Sequence, residues 1–315
     1  MISYSLAGLL MLSALLFSCS GEKELLNLKG QYLGQKPPGM IPELFAPGIV
    51  STSGDEINAV FSPDGKTLYF SRDSRSNLSK AGKDYTIYYM KETSGGWTIP
   101  EKVPFAGEYM NADMALSSDG SQLFYCSDRP LAAGGARKPD ADIWTVDVLA
   151  DGWSEPRNLG PEINSDSNEW YPCLAENGTL YFSSSREGGK GKSDLYCAKL
   201  VNGIYQKAEP LKGDVNTIYR EGDVFIAPDE SYLITVSSDR PDTFGMGDLY
   251  ISFRNQKDEW SEAVNLGKPL NTEAHDYCPM VSPDGKYLFY SSKKRGIDDV
   301  YWIDAEIINE FKSIK

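Results

Sequence analysis

Ser62-Pro63-Asp64-Gly65-Lys66-Thr67-Leu68-Tyr69-Phe70-Ser71 returns near the far end of the chain as Ser282-Pro283-Asp284-Gly285-Lys286-Tyr287-Leu288-Phe289-Tyr290-Ser291. Between them lie Ser117-Ser118-Asp119-Gly120, Ala175-Glu176-Asn177-Gly178 and Ala227-Pro228-Asp229-Glu230, each running into a similar apolar and aromatic stretch. The anchors Asp64, Asp119, Asn177, Asp229 and Asp284 stand 55, 58, 52 and 55 residues apart, so one supersecondary unit occurs five times. A short apolar strand such as Ala59-Val60-Phe61 precedes each anchor, and the Asp-Gly pair turns the chain. A second strand of the Leu-Tyr-Phe-Ser type follows. A third starts at Thr86-Ile87-Tyr88, Asp142-Ile143-Trp144, Asp194-Leu195-Tyr196, Asp248-Leu249-Tyr250 and Asp299-Val300-Tyr301. A second turn leads to an outer strand, expected to open at Trp97, Trp153, Ile204 or Trp260.

The fifth unit has no such strand after Tyr301. Ile41-Pro42-Glu43-Leu44-Phe45, ending in Ser51-Thr52, matches Ala263-Val264-Asn265-Leu266 and the following Asn271-Thr272, and reads as the missing piece. The pattern therefore predicts an all-β fold, a β-propeller of five four-stranded blades closed by an N-terminal strand, with six blades as the alternative. Such a ring has no free sheet edge. Glu306 to Phe311 reads either as a short tail helix or as a continuation of the last strand.

The Ser-Pro-Asp-Gly unit with its following Asp-Leu-Tyr resembles the WD40-like repeats of TolB-type propellers, over roughly residues 42 to 303. That resemblance implies the fold. Members of the family bind proteins, peptidoglycan-associated partners or sugars, and some precede a peptidase domain. One propeller hosts many activities, and this chain has no Gly-x-Ser-x-Gly elbow.

The start of the chain reads as an address. Leu6 to Phe17 is an apolar run without charge, too short for a mature membrane span and of the length of a signal-peptide core. It ends in Leu16-Phe17-Ser18-Cys19, which resembles a bacterial lipobox, although no Lys or Arg precedes the run. The resemblance implies cleavage after residue 18 and acylation of Cys19, with two or three chains giving stable anchoring. Residues 19–40 read as a polar tether, and 41–315 as the single propeller domain. Cys19-Ser20-Gly21-Glu22-Lys23-Glu24 loosely resembles an acidic surface-export signal of lipoproteins. The expected location is the outer membrane, facing periplasm or cell surface, with contact to the membrane through the lipid alone.

Thirty-one Lys and Arg against 45 Asp and Glu give a net charge of −14, which argues against nucleic acid and against anionic lipid surfaces. The single histidine, His275, excludes multi-histidine metal centres. No cofactor and no metal site are expected. Cys126, Cys173, Cys197 and Cys278 read as buried thiols, with Cys126–Cys173 the one disulfide not set aside.

Strands alternate in direction, so the 4–1 connections and 2–3 loops share one face of the disc, the loop face. The Asp-Gly turns and Trp hairpins share the other, the turn face. Two repeated signatures fall on the loop face. Glu56, Asn111, Glu169, Glu221 and Asp276 stand at the heads of the inner strands, and Arg72, Arg129, Arg186, Arg240 and Arg295 open the 2–3 loops. Repetition in every blade favours arginines that pair with carboxylates and fix blade to blade. The other reading is a charged funnel for a polar ligand, where the residues that break the pattern, Trp170, Tyr171, Arg220, His275 and Tyr277, supply aromatic platforms and hydrogen-bonding groups. The expected function is a non-enzymatic, monomeric binding module for an envelope protein or glycan. The alternative is a glycan lyase or hydrolase working in the funnel.

Overall fold

The computed structural model describes residues 25–73 and 84–314. Cys19, the signal segment and the start of the expected tether lie outside the described residues. The inner three strands of each blade follow the repeat. Blade 1 is Glu56–Phe61, Thr67–Asp73 and Tyr85–Thr93; blade 2 is Asn111–Leu116, Gln122–Ser127 and Asp142–Leu149; blade 3 is Glu169–Leu174, Leu180–Ser184 and Asp194–Ala198. Blade 4 is Arg220–Ile226, Tyr232–Ser238 and Asp248–Phe253; blade 5 is Asp276–Val281, Tyr287–Ser292 and Asp299–Asp304. Outer strands Glu101–Lys102, Arg157–Asn158, Glu209–Pro210 and Val264–Asn265 complete the first four sheets, and Glu43–Leu44 completes the fifth. The protein is thus an all-β propeller of five blades.

The repeated turn has a chemical cause. Ser62 Oγ donates to Asp64 Oδ1 at 2.6 Å, the same oxygen accepts from Lys66 N at 3.0 Å, and Thr67 N donates to Ser62 Oγ at 2.8 Å. Gly65 closes the turn at φ 70°, a left-handed conformation that side-chain-bearing residues pay for. The Ser62 hydroxyl holds the Asp64 carboxyl below its usual range, and the Ser117–Asp119 and Ser282–Asp284 pairs repeat the arrangement.

Closure follows the predicted register. Glu43 stands opposite Trp302 and Leu44 opposite Tyr301, just as Asn265 stands opposite Tyr250 in blade 4. Phe45 is fully buried, with its ring 5.0 Å from Phe289, 5.2 Å from Trp302 and 6.0 Å from Phe61. It therefore joins blade 5 to blade 1 through apolar contact as well as through the strand.

Three expectations are corrected. Trp97 and Trp153 do not open the outer strands. Gly96–Trp97 and Gly152–Trp153 form short hairpins with the end of the third strand, and the ladder resumes only at Glu101 and Arg157. In blade 3, Ile204–Tyr205 pairs with Leu200–Val201 ahead of the outer strand, and in blade 4 Trp260 makes isolated bridges to Arg254 and Gly213. Residues 25–39 are not a free tether. Leu26 N donates to Trp97 O at 2.7 Å, Trp97 N donates to Leu28 O at 3.0 Å, and Trp97 Nε1 donates to Gly30 O at 3.0 Å. A Cβ at Gly96 would sit 2.6 Å from Leu26 O, so only glycine lets this segment lie so close. Tyr32 is buried edge-on against Phe61 and Tyr287 at 5.1 and 4.9 Å, and its hydroxyl donates to Asp284 at 2.8 Å. Finally, Cys126, Cys173, Cys197 and Cys278 are all free, but Cys197 is half-buried where full burial was expected. The tail forms a 3-10 helix, Ala305–Ile314, that buries Ile307 and Ile308.

Candidate functional site at the propeller axis

Every inner strand carries a β-bulge at the same place: the register shifts between Ile57 and Val60, Ala112 and Ala115, Trp170 and Cys173, Gly222 and Phe225, and Tyr277 and Met280. Each bulge contains one non-glycine residue at positive φ: Asn58 at 54°, Asp113 at 53°, Tyr171 at 53°, Asp223 at 34° and Cys278 at 53°. Such a conformation costs on the order of 1 kcal/mol per residue, and bulges commonly re-aim a side chain.

The five side chains meet across the ring. Asn58 Nδ2 donates to Tyr171 Oη at 3.1 Å, and Tyr171 Oη donates to Pro279 O at 2.8 Å. Asn58 Oδ1 accepts from Met114 N at 2.8 Å. Cys278 N donates to Asp223 Oδ2 at 3.1 Å, and its Sγ lies 4.0 Å from Asp113 Oδ1. These contacts link blade 1 to blade 3, blade 3 to blade 5 and blade 5 to blade 2. Blades that are not neighbours touch only at the axis, so the five residues form a polar plate across it.

Above the plate, Trp170 and Tyr277 are half-buried and pack with Tyr85 against Ile57, Tyr171 and Cys278. His275 stacks on Tyr277 with centroids 4.2 Å apart and planes 3° apart. Arg220 is exposed at the head of the inner strand of blade 4. At Gly222 a Cβ would meet nothing within 4 Å, so blade 4 leaves open space where Trp170 and Tyr277 stand in blades 3 and 5. On the turn-face side, Ala59, Leu116, Leu174, Ile226 and Val281 line an apolar cavity of about 340 Å³.

The plate holds two carboxyls that resist ionising together. Burial first, and then the Asp223 charge, pushes Asp113 well above the usual carboxylate range. Burial also raises Asp223 to about 6, against the lowering effect of the Cys278 amide. Both folded-state values lie above the ordinary 3.8, so the folded state binds extra protons between the two. Stability from this pair is full below the ordinary value and is lost as pH rises to and beyond 6. For Asp223 alone, two pKa units correspond to about 3 kcal/mol. The melting temperature should accordingly fall by about 5 °C between about pH 5 and about pH 7.5. Buried Glu221, Asp276 and Asp299 are shifted in the same direction by burial. Calorimetry of Asp113→Asn isolates the pair, because this variant should lose a large part of the slope.

The carboxylates at the strand heads are placed differently from the funnel reading. Glu56, Glu169, Glu221 and Asp276 are fully buried, and each accepts from the backbone N–H and hydroxyl of a residue four positions earlier. Thr52 N and Oγ1 lie 3.0 and 2.6 Å from Glu56, and Ser165, Thr217 and Thr272 repeat this with Glu169, Glu221 and Asp276. Asn111 instead donates to Ala106 O and Tyr109 O at 2.9 and 2.7 Å. All five are buried and hold their incoming 4–1 connection. Asn164, Asn216 and Asn271 then fasten blade to blade: each amide oxygen accepts from, and each amide nitrogen donates to, the third strand of the preceding blade, at Ile143, Leu195 and Leu249.

Four arginines form a common set. Arg72, Arg129, Arg186 and Arg240 lie over Tyr88, Trp144, Tyr196 and Tyr250 at 5.1, 5.7, 4.6 and 4.6 Å. Arg72 also donates to Glu56 and Ile49 O at 2.9 and 2.8 Å, and Arg186 to Glu169 and Ile163 O at 3.1 and 2.5 Å. Arg129 reaches Ala106 O at 3.3 Å, and Arg240 reaches Ala263 O at 3.2 Å. The fifth place belongs to Lys294, whose ammonium stands 3.5 Å from the Tyr301 centroid. Arg295, expected there, is half exposed and 3.6 Å from Asp299. Among the described residues, no group of three or more His, Cys, Asp or Glu is placed to hold a metal ion. No helix among them is long and apolar enough to cross a membrane.

No protein-family profile and no curated protein matches the chain. Solved structures do. A TolB from Agrobacterium tumefaciens, itself described as putative, superposes with a TM-score of 0.51 at 16% identity, over 80% of this chain and 77% of that one. Hydrazine synthase from Kuenenia stuttgartiensis gives a TM-score of 0.51 at 15% identity, over 84% of this chain and 81% of that one. The likeness is one of fold. It carries the propeller and leaves the function to be argued from the site.

Proposed function

We propose that the protein is a non-catalytic, lipid-anchored binding module of the bacterial envelope, which takes a partner protein or glycan at the loop-face end of its axis. The observation that carries this reading is the convergence there of half-buried Trp170 and Tyr277 with open space at Gly222, above a polar plate built from all five blades. Aromatic platforms beside a few fixed polar groups are what binding pockets present. Leu16-Phe17-Ser18-Cys19 supports the anchor and an outer-membrane location, and the sheet edges buried by ring closure support a monomer. An enzyme working in the same place, a glycan hydrolase or lyase, would draw on Asp113 as a proton-holding carboxyl.

Pull-down from detergent-solubilised envelope together with a glycan array tests the proposal. Trp170→Ala or Arg220→Ala should weaken capture by about thirty-fold, since central anchors are worth about 2 kcal/mol or more. Substitutions in the Asp151-Gly152 hairpin should leave capture unchanged, and Cys19→Ser should release a folded, soluble protein. Capture that survives Trp170→Ala and Arg220→Ala but is lost with the hairpin changes would move the site to the turn face. Turnover of a bound glycan that Asp113→Asn abolishes would establish the enzyme instead.

A further inference from the structure

Asp113 is 8% exposed. Among the described residues its side chain has one hydrogen-bond contact, the Cys278 thiol at 4.0 Å, a weak donor at the limit of reach. Every strand-head carboxylate of the ring, by contrast, has a backbone N–H and a hydroxyl. Asp223 closes on the same cysteine from the other side through its amide. Among the described residues neither aspartate has a Lys, Arg or His partner. Two like charges, buried Asp113 and half-buried Asp223, without a counter-ion among the described residues destabilise the free protein, and groups held in this way are characteristic of working sites.

Access is given by blade 4. Gly222 leaves open space next to Asp223, and Trp170 and Tyr277 flank the approach from blades 3 and 5. Aromatic faces attract a cation on its way to the carboxyls. A slender aliphatic arm with a terminal charge fits a passage between rings, because its methylenes pack on them while the charge goes on to the polar end.

We propose that the Asp113–Asp223 pair on the propeller axis is a receptor for an alkyl monocation, the side chain of a lysine or arginine that a protein partner inserts from the loop face. This rests on the binding-module reading and names the chemistry of its ligand. The groups facing the pair are the Cys278 thiol from blade 5, the Tyr171 hydroxyl from blade 3 and, behind Asp113, the Cys126 thiol. Burial raises the pKa of all three, so they stay neutral near pH 7. The pair is then the part of the plate that gains charge as pH rises through 6, and binding should strengthen over that interval.

The probe is n-butylammonium, measured by calorimetry and by melting temperature against matched sodium chloride. Asp113→Asn and Asp223→Asn are the variants. Asn is well tolerated at positive φ and already occupies the equivalent place in blade 1 as Asn58, so both should fold. Near pH 7 the cation should raise the melting temperature of the natural protein, and near pH 5 it should have little effect. Each variant should melt higher than the natural protein when free and should bind the probe about thirty-fold more weakly. No response beyond the salt control, or a response unchanged in both variants, overturns the proposal. So does a preference for glucosamine or calcium ion. Partner capture that is lost in Trp170→Ala but intact in both aspartate variants would leave the binding module standing and remove the cation receptor alone.

Discussion

Deleting Ile41–Thr52 should abolish the single cooperative melting transition and yield an aggregating protein. The segment carries Glu43 and Leu44, which complete the fifth sheet, and Ser51, whose hydroxyl both donates to Val300 O and accepts from Val300 N at 3.2 and 3.1 Å. It also carries Phe45 and Val50, both fully buried. Removing a buried Phe side chain alone costs about 3–5 kcal/mol, a large part of the 5–15 kcal/mol that separates folded from unfolded domains. The strand Asp299–Asp304 would in addition present a bare edge, and such edges pair with other molecules. Calorimetry with size-exclusion chromatography checks this. A deletion variant that stays monomeric and melts at an unchanged temperature would show that the ring is closed elsewhere. Phe45→Ala is the milder form and should lower stability by about 3–5 kcal/mol without exposing the edge.

Glu56→Ala should cost about 3 kcal/mol of stability and leave partner binding by the folded fraction unchanged. One carboxylate oxygen accepts from Thr52 Oγ1 and from Arg72 Nε, and the other from Thr52 N. Truncation leaves these donors without their acceptor and the guanidinium without its counter-charge. Arg72 is about a quarter exposed, which keeps the cost at the low end for a broken buried pair. Glu56→Gln keeps the acceptor and should lose less. Denaturant midpoints of the two variants check the order. A Glu56→Ala protein with unchanged stability and abolished capture would return this carboxylate to the ligand.

These two results bear on what could be read from the chain. The blade count was legible because the turn needs a narrow set of residue types: Ser, Asp and Gly recur at 62, 64 and 65, at 117, 119 and 120, and at 282, 284 and 285, while blades 3 and 4 keep Asn177 and Asp229 at the anchor. The charged rings were legible as repeats, but their spacing misled. Arg72 stands directly opposite Glu56 in the ladder, whereas Arg186 lies two residues past Ser184, the residue opposite Glu169. A long basic side chain reaches the same place from either position, and in blade 5 it is Lys294, two residues past Ser292, that does so. The axial plate was hidden for a different reason. Strand reading assumes alternation, and one bulge residue at positive φ breaks it, so nothing in the pattern singles out Asp113 and Asp223 as facing the axis. A signal was present: two residues past each strand head, the five copies carry Asn, Asp, Tyr, Asp and Cys where an apolar type would be ordinary. Leu26, Leu28, Tyr32 and Leu33 were likewise masked by the polar residues around them, although isolated apolar pegs are enough to hold a segment on a surface.

Pairing Glu43 with Trp302 also fixes the order in which the molecule comes into being. The four blades that begin with Glu56, Asn111, Glu169 and Arg220 are each complete within their own stretch of chain and can form as synthesis proceeds. The fifth depends on Glu43 and Leu44, which are made before the first blade and far from blade 5 in sequence. Until Tyr301 and Trp302 arrive, the first strand is an unpaired ribbon, and Phe45 lacks two of the three rings it packs against. Loop-closure entropy makes such a distant contact slow to find. Closure thus joins a strand made before the first blade to one made after the fourth, and that interval is when the domain is most exposed to wrong partners and to proteases.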